Sequence, residues 1–274
     1  MELAAGTALP LVLLMLGTGA VAGLLAGLLG VGGGIVIVPI LFLVFDALDF
    51  PESIAMHVAV ATSLATIVPT SIASARAHRA RGNLDEALFR RWAPFVGAGA
   101  LAGGLVAGAL DGERLKLVFG AVALVVAANM AIPRTLTVAE ALPRSTAAQG
   151  AIAGGIGLFS ALMGIGGGTL SVPTLSLFSF PTHRAVGTAA AFGLVIAVPA
   201  VLALAWTGRG VPGRPPASLG YVNLVAAGLI FPATTLVAPV GARIAHALPA
   251  ARLKLAFAAF LGLTAARMLW TSLV

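Results

Sequence analysis

Long stretches without a charged side chain limit this chain more than any other feature of its sequence. Seven stretches contain no Asp, Glu, Lys or Arg: residues 3–45, 53–75, 92–110, 117–133, 145–183, 185–208 and 215–242. A helix needs about 20 apolar residues to cross a bilayer. Backbone groups in lipid must be hydrogen-bonded within the protein, and a helix does this inside one segment. The stretches therefore predict an all-α polytopic membrane protein.

The composition excludes several other classes of protein. Of the 274 residues, 59% are hydrophobic and 9% are charged, whereas an ordinary soluble domain carries about 25% charged residues. A soluble enzyme or a nucleic-acid-binding domain could not cover its surface with so few charges. The chain has no cysteine and no HExxH or GxSxG motif, and every carboxylate lies near the end of an apolar stretch. We therefore expect no enzymatic activity, no metal, no cofactor and no nucleic-acid partner.

An internal repeat divides the chain into two halves. Residues 23–41 read GLLAGLLGVGGGIVIVPIL and residues 157–175 read GLFSALMGIGGGTLSVPTL, with ten identical positions out of nineteen. The match continues at His57 and His183, and again at an Arg-Leu-Lys-Leu sequence that occurs once in each half. Because the matches keep the same order, they indicate a duplication of the chain.

Each copy is predicted to contain a broken helix followed by three membrane-spanning helices. The first copy covers residues 9–131 and the second covers 146–273, and residues 132–145 link them. The GxGGG sequence and the proline after it interrupt the first helix, because each Gly costs a helix about 1 kcal/mol relative to Ala. The spanning helices are expected near residues 53–75, 91–110 and 114–131, and near 184–206, 219–243 and 252–272.

The broken segments decide how the two copies are oriented in the membrane. A hairpin, either spanning or re-entrant, gives each copy an odd net number of crossings, and the copies are then inverted. A single kinked helix makes them parallel. Inversion places eleven Lys and Arg residues on one side and four on the other, whereas the parallel model gives nine and six. Because cytoplasmic loops carry the positive charge, we prefer inversion, with the Arg76–Arg91 loop in the cytoplasm.

The repeated glycines are the strongest candidates for a binding site. Irregular backbone at membrane depth is tolerated only where protein buries it or where it lines a wet cavity, and transporters built from inverted repeats bind substrate where broken helices meet. Free N–H groups at a helix N-terminus attract an anion. The alternative is that glycine only allows close helix packing. The glycines assigned to substrate binding are Gly32, Gly33, Gly34, Gly166, Gly167 and Gly168.

The paired GxGGG-x₄-P-x-L segments resemble the sulfite exporter TauE/SafE family of membrane permeases, over about residues 9–270. The resemblance implies a multi-pass protein of the bacterial inner membrane. It also implies transport of a small sulfur-containing anion such as sulfite, sulfoacetate or thiosulfate. The resemblance supports the transporter class better than it supports any one solute.

Hydroxyl groups near the breaks complete the predicted binding site. Thr169 follows the second break, and Ile35 occupies the same position in the first copy, which predicts an asymmetric site. Thr62, Ser63 and Thr188 place hydroxyls on the helix after each break, and Thr188 is the repeat partner of Thr62. Such hydroxyls can donate to an anion, or they can bond to a carbonyl of their own helix.

Two histidines are candidates for proton coupling. His57 and His183 are equivalent in the repeat and lie near the start of a helix. Imidazole titrates near neutral pH, but an interfacial or capping role fits the same position. We favour the capping role, in which replacing either residue leaves the pH profile of transport unchanged.

Three functions fit the sequence. The first is a secondary transporter, an exporter that works by alternating access. The second is a channel-like facilitator of small anions or carboxylates with the same fold, since both need a wet path. The third is a membrane protein with a role in assembly and no transport activity.

The inverted model makes a prediction about the chain termini. Because each copy crosses an odd net number of times, both termini should lie on the non-cytoplasmic side. A C-terminal fluorescent reporter that folds only in the cytoplasm should therefore stay dark, while the same reporter inserted in the Arg76–Arg91 loop should fluoresce. A bright C-terminal reporter would contradict the inverted arrangement.

Overall fold

A computed structural model describes residues 5–29, 34–48, 50–132, 137–247 and 250–273. These residues form ten helices and one short antiparallel pair of strands, β1 (Ser218–Leu219) and β2 (Val222–Asn223). The helices are α1 (Ala5–Leu29), α2 (Gly34–Ala47), α3 (Glu52–Ala80), α4 (Glu86–Ala109), α5 (Gly112–Ala131), α6 (Thr146–Leu162), α7 (Gly167–Ser176), α8 (Thr182–Thr207), α9 (Leu224–Ala247) and α10 (Ala250–Leu273).

Six of the described helices are long and apolar enough to cross a bilayer: α3, α4, α5, α8, α9 and α10. They are the three helices predicted in each copy, at close to the predicted positions. The all-α polytopic membrane fold is therefore confirmed. The four remaining helices come from the two glycine-broken segments.

The second broken segment is a helical hairpin whose two ends lie together. The carbonyl of Leu177, at the end of α7, accepts hydrogen bonds from the amides of Val138 (2.8 Å) and Ala139 (3.2 Å). Both residues belong to the linker that precedes α6, so α6 and α7 enter and leave at the same end of the protein. Helix α7 has only 10 residues, or about 15 Å at 1.5 Å per residue, and cannot cross a hydrocarbon core of about 30 Å.

Ion pairs identify which helix ends lie together. Arg184, at the start of α8, lies 2.8 Å from Asp85 at the start of α4. The Arg76–Arg91 loop and Arg184 therefore share one end, which we call the basic end. At the opposite end, Lys116 at the start of α5 lies 3.0 Å from Glu52 at the start of α3. The inverted model requires Arg184 beside the Arg76–Arg91 loop, and the parallel model places it on the other side.

The packing of equivalent helices also fits the inverted model. Helices α5 and α10 occupy equivalent places in the two copies and run antiparallel, since Lys116 lies beside Thr271 and Gly120 beside Leu269. An axis in the membrane plane relates two such helices, and it lies between them. We infer from this arrangement and from the ion pairs that the two copies are inverted.

Equivalent glycine contacts join the copies. Gly157 of α6 packs on the carbonyl of Val96 in α4, and Gly23 of α1 packs in the same way on the carbonyl of Thr234 in α9. The pairs Gly103 with Leu158, and Gly241 with Leu24, repeat the pattern. Each broken helix thus packs on the fourth helix of the other copy. Small residues allow this close backbone approach in a membrane.

Substitution of these glycines tests the interface. Gly157→Ala should destabilise the protein by about 1–3 kcal/mol, the usual cost of overpacking, because its methyl group would overlap the α4 backbone. The matched control is Gly155→Ala on the same helix, where no atom of the described residues lies within 4 Å of the added carbon. Thermal unfolding in detergent should separate the two variants. Equal melting temperatures would mean that the α4–α6 contact is looser than described.

Candidate functional site

The second glycine turn has a defined backbone geometry. Gly164 adopts φ +66°, and the amide of Ile165 donates to the carbonyl of Ser160 at 2.9 Å. This is the Schellman motif, which ends a helix with a left-handed residue that is usually glycine. The positive φ therefore falls at Gly164. Gly166 has φ −81° and so does not take a left-handed angle.

Helix α7 begins inside the protein without a side-chain cap. Gly166 is its N-cap residue and makes no side-chain capping bond. The first N–H groups of any α-helix lack a partner within the helix, and here they lie among buried residues. Gly167 is glycine for a packing reason, since a Cβ there would lie 2.9 Å from the amide nitrogen of Gly193 in α8. Gly168 follows in the first turn of α7 and is partly buried.

The start of α2 lies against the second glycine turn. A Cβ on Gly34, the first residue of α2, would lie 2.9 Å from the carbonyl oxygen of Gly164 and 3.0 Å from the Cα of Ile165. The predicted site residues Gly32 and Gly33 lie outside the described residues. The start of α2 therefore packs directly against the second turn, and the predicted meeting of the two turns stays a prediction.

Ser63 links the two hairpins through backbone carbonyls. Its hydroxyl oxygen lies 2.7 Å from the carbonyl oxygen of Gly164 and 3.5 Å from that of Gly34. The residue is fully buried in α3. Its hydroxyl donates to Gly164 in this conformation, so its predicted donation to an anion needs a second arrangement and stays a prediction.

Thr62 and Thr188 occupy equivalent junctions between the two copies. The hydroxyl oxygen of Thr62 accepts from the amide of Asn223 at 3.1 Å, and Asn223 caps α9 through its side chain. The hydroxyl oxygen of Thr188 accepts from the amide of Asp85 at 3.0 Å, and Asp85 caps α4. Each threonine thus holds the start of the fourth helix of the other copy. Their place in the anion site stays a prediction.

Several hydroxyls of the second hairpin are buried without a partner. The side-chain oxygens of Thr169 and Ser171 in α7, and of Ser160 in the last turn of α6, have no hydrogen-bond partner in the described part of the chain. Thr169 was predicted from the sequence. Ser160 and Ser171 were missed, although the repeat alignment contained the signal, since the first copy has Ala26 and Ile37 at these positions.

The two histidines lie in unlike surroundings. His57 is buried, its Nε2 lies 3.0 Å from the carbonyl oxygen of Leu110, and its ring stacks on Tyr221 with 4.6 Å between the ring centroids. His183 is exposed at the start of α8. The contacts of His57 join α3 to the end of α4, as a structural histidine would. Proton coupling by either residue stays a prediction.

An open depression of about 590 Å³ lies at the basic end. Arg91, Arg144 and the segment that follows α7 line it, together with Glu140. Clefts that carry an excess of one charge raise the local concentration of the opposite ion. With two arginines against one carboxylate, this depression favours anions over cations.

Comparison with known proteins places the chain in a family. A family model described as sulfite exporter TauE/SafE matches residues 15–268. The chain belongs to the sulfite exporter TauE/SafE family. It is a multi-pass membrane transporter protein, in agreement with its six apolar helices.

Relatives of this TauE/SafE family protein occur in distant microbes. A "Probable membrane transporter protein" of Haemophilus influenzae is 36% identical over 94% of this chain and 97% of its own length. A protein with the same kind of name from Methanocaldococcus jannaschii is 30% identical over 65% of each chain. No solved structure matches the chain.

The link through Ser63 can be tested by stability. Ser63→Ala leaves the Gly164 carbonyl without its donor and should lower the free energy of unfolding by about 1–2 kcal/mol. Thr66→Val is the matched control, because the equally buried Thr66 hydroxyl bonds within its own helix to the Ser63 carbonyl at 2.7 Å. Thermal unfolding in detergent should show the larger loss for Ser63→Ala. If Thr66→Val proves as harmful, the hydroxyl of Ser63 does not join the hairpins.

Proposed function

We propose that this protein is a secondary transporter that exports a small sulfur-containing anion such as sulfite, sulfoacetate or thiosulfate. The anion binds where the two hairpins meet, near the midplane of the membrane. Backbone N–H groups at the starts of α2 and α7 hold it, and Thr169 adds a hydroxyl. The observation that carries the proposal is the buried, uncapped start of α7 beside an unpartnered Thr169.

The charge of the site favours an anion. A helix N-terminus carries the positive end of the helix dipole and directs its free N–H groups outward. All nine acidic residues lie at or before Glu140, and each is near the end of an apolar segment. No carboxylate therefore competes with a bound anion in the membrane-spanning part of the sequence. A buried Lys or Arg is not needed, because the backbone supplies the donors.

The inverted copies suggest how the site opens alternately to either side. The two copies meet through equivalent junctions, Thr62 with Asn223 and Thr188 with Asp85. If each copy adopts the conformation that the other now has, one of these junctions separates and the other closes. The binding site then faces the opposite side of the membrane. Rigid rocking of one repeat against the other around a fixed site is the usual mechanism of such architectures. In this proposal, export loads the anion from the depression at the basic end that Arg91 and Arg144 line.

Binding by the purified protein is the direct test. Sodium sulfite, thiosulfate and sulfoacetate should each raise the melting temperature, because stabilisation follows RT ln(1 + [L]/Kd). Thr169→Val should weaken this binding by about 1–3 kcal/mol, or roughly 5–150-fold, the cost of a lost buried hydrogen-bond partner. Thr174→Val is the control, since the Thr174 hydroxyl bonds to the Leu170 carbonyl of its own helix at 2.7 Å. If no sulfur anion shifts the melting temperature, the proposed substrate class is wrong.

A flux assay distinguishes the carrier from its alternative, a channel-like facilitator. In proteoliposomes, unlabelled thiosulfate inside should accelerate uptake of labelled thiosulfate if the protein is a carrier. An open channel shows no such trans-stimulation. Uptake without trans-stimulation would reject alternating access and would favour the channel-like facilitator of anions.

A further inference from the structure

Ser71, in α3, has a buried hydroxyl that forms no hydrogen bond with another described residue. The residue is only 8% exposed. A serine inside a helix usually bonds to the carbonyl four residues earlier, which here belongs to Ile67. The adjacent Thr70 hydroxyl already donates to that carbonyl at 3.1 Å. Buried polar groups in native proteins are nearly always hydrogen-bonded, so the free hydroxyl calls for an explanation.

The face of α3 that carries Ser71 runs along the second glycine turn. Ser63, Ile67 and Ser71 are four residues apart and therefore share one side of the helix. The Ser63 hydroxyl bonds to the carbonyl of Gly164, and a Cβ on Gly166 would lie 3.5 Å from the Ile67 side chain. The contacts thus advance along the turn towards α7, and Ser71 occupies the next position on this face.

Gly193 of α8 lies between the Ser71 hydroxyl and the first amide of α7. A Cβ on Gly193 would overlap the Ser71 hydroxyl oxygen and would lie 3.6 Å from the amide nitrogen of Gly167. Two hydrogen bonds of about 2.9 Å to one oxygen atom span about 6 Å, and the two groups are no farther apart than that. The Gly167 amide has no partner within its helix, and it donates to no backbone carbonyl of the described residues.

The repeat shows that the fold does not require this hydroxyl. In the alignment of the two copies, Ala197 corresponds to Ser71 and Gly193 corresponds to Ile67. Ala197 is fully buried in α8, so an apolar side chain is sufficient for packing at this position. Gly193 leaves the space that the Ser71 hydroxyl occupies. The hydroxyl therefore belongs to the first copy alone, and it lies beside the uncapped helix of the second copy.

We propose that Ser71 is a further substrate-binding residue, whose hydroxyl donates a hydrogen bond to the oxyanion held at the start of α7. This inference rests on the proposed function and adds α3 to its site. The Ser71 hydroxyl and the Gly167 amide bond to oxygen atoms of the same anion, one from each copy of the repeat. The bound anion thus contacts both copies, as a site at the interface between inverted repeats requires.

Binding and stability of Ser71→Ala test this role together. The variant should bind thiosulfate and sulfite roughly 10-fold more weakly, the usual effect of losing a hydrogen bond to a charged group. Without anion it should melt at the wild-type temperature, because its hydroxyl has no partner to lose. Ser176→Ala is the control with the same substitution, since the Ser176 hydroxyl bonds to the Val172 carbonyl of its own helix at 2.8 Å. Its affinity for both anions should be unchanged.

A double-mutant cycle tests the contact between Ser71 and Gly193. Gly193→Ala should lower the melting temperature of the wild-type protein, because the added methyl group overlaps the Ser71 hydroxyl oxygen. In the Ser71→Ala protein that oxygen is gone and the Cβ of residue 71 lies 3.3 Å away, so the same change should cost much less. Equal losses in the two backgrounds would mean that Ser71 lies elsewhere, and the proposal would be wrong.

The outcomes separate the role of Ser71 from the proposed function. Wild-type affinity in Ser71→Ala would reject this role and leave the proposed function standing. A lower melting temperature of Ser71→Ala without anion would also reject it, because the hydroxyl would then have a partner in the protein. If the wild-type protein binds no sulfur anion, the proposed function fails, and the role of Ser71 fails with it.

Discussion

The satisfaction of backbone polar groups at the two helix breaks is the constraint on which the rest of the structure depends. No water in the lipid interior can hydrogen-bond a free N–H or C=O group, and each unsatisfied group costs several kcal/mol. At the second break the Schellman bonds and the hydroxyl of Ser63 satisfy the end of α6. The start of α7 has no side-chain cap. At this break the acceptors at the end of α6 are paired, while the first N–H groups of α7 have no side-chain partner among the described residues.

The duplication supplies a common scaffold, and side chains make the two halves differ. Equivalent glycines let α1 pack on α9 and α6 pack on α4, so both hairpins are held by the same kind of backbone contact. Within that scaffold the first hairpin has Ala26, Ile35 and Ile37 where the second has hydroxyls. The linking hydroxyl, Ser63, lies in the first copy and has Ala189 as its repeat partner. Symmetry thus fixes where the hairpins meet, and asymmetry determines which groups are available there.

The helix break between α6 and α7 could be predicted from the sequence, because a triple glycine and a later proline leave few alternatives to a helix break. The exact use of each glycine could not be predicted. Gly164 takes the left-handed angle, while Gly167 is required by the backbone of α8. The threonines show the same limit. The sequence predicts that Thr62 and Thr188 place hydroxyls on helices. It does not predict their partners, because each hydroxyl bonds to a residue of the other copy, more than a hundred residues away.

The sequence by itself determined the membrane location, the six spanning helices and the duplication, because hydropathy and repetition are local properties of the chain. The charge distribution alone favoured inversion by only two residues on each side. The tertiary structure decided what depends on distant contacts: that the second broken segment returns to the end from which it entered, and that Gly34 packs on the turn at Gly164. It also showed that Ser160 and Ser171 lack partners. A side chain's partners are set by helix packing, which no single segment encodes.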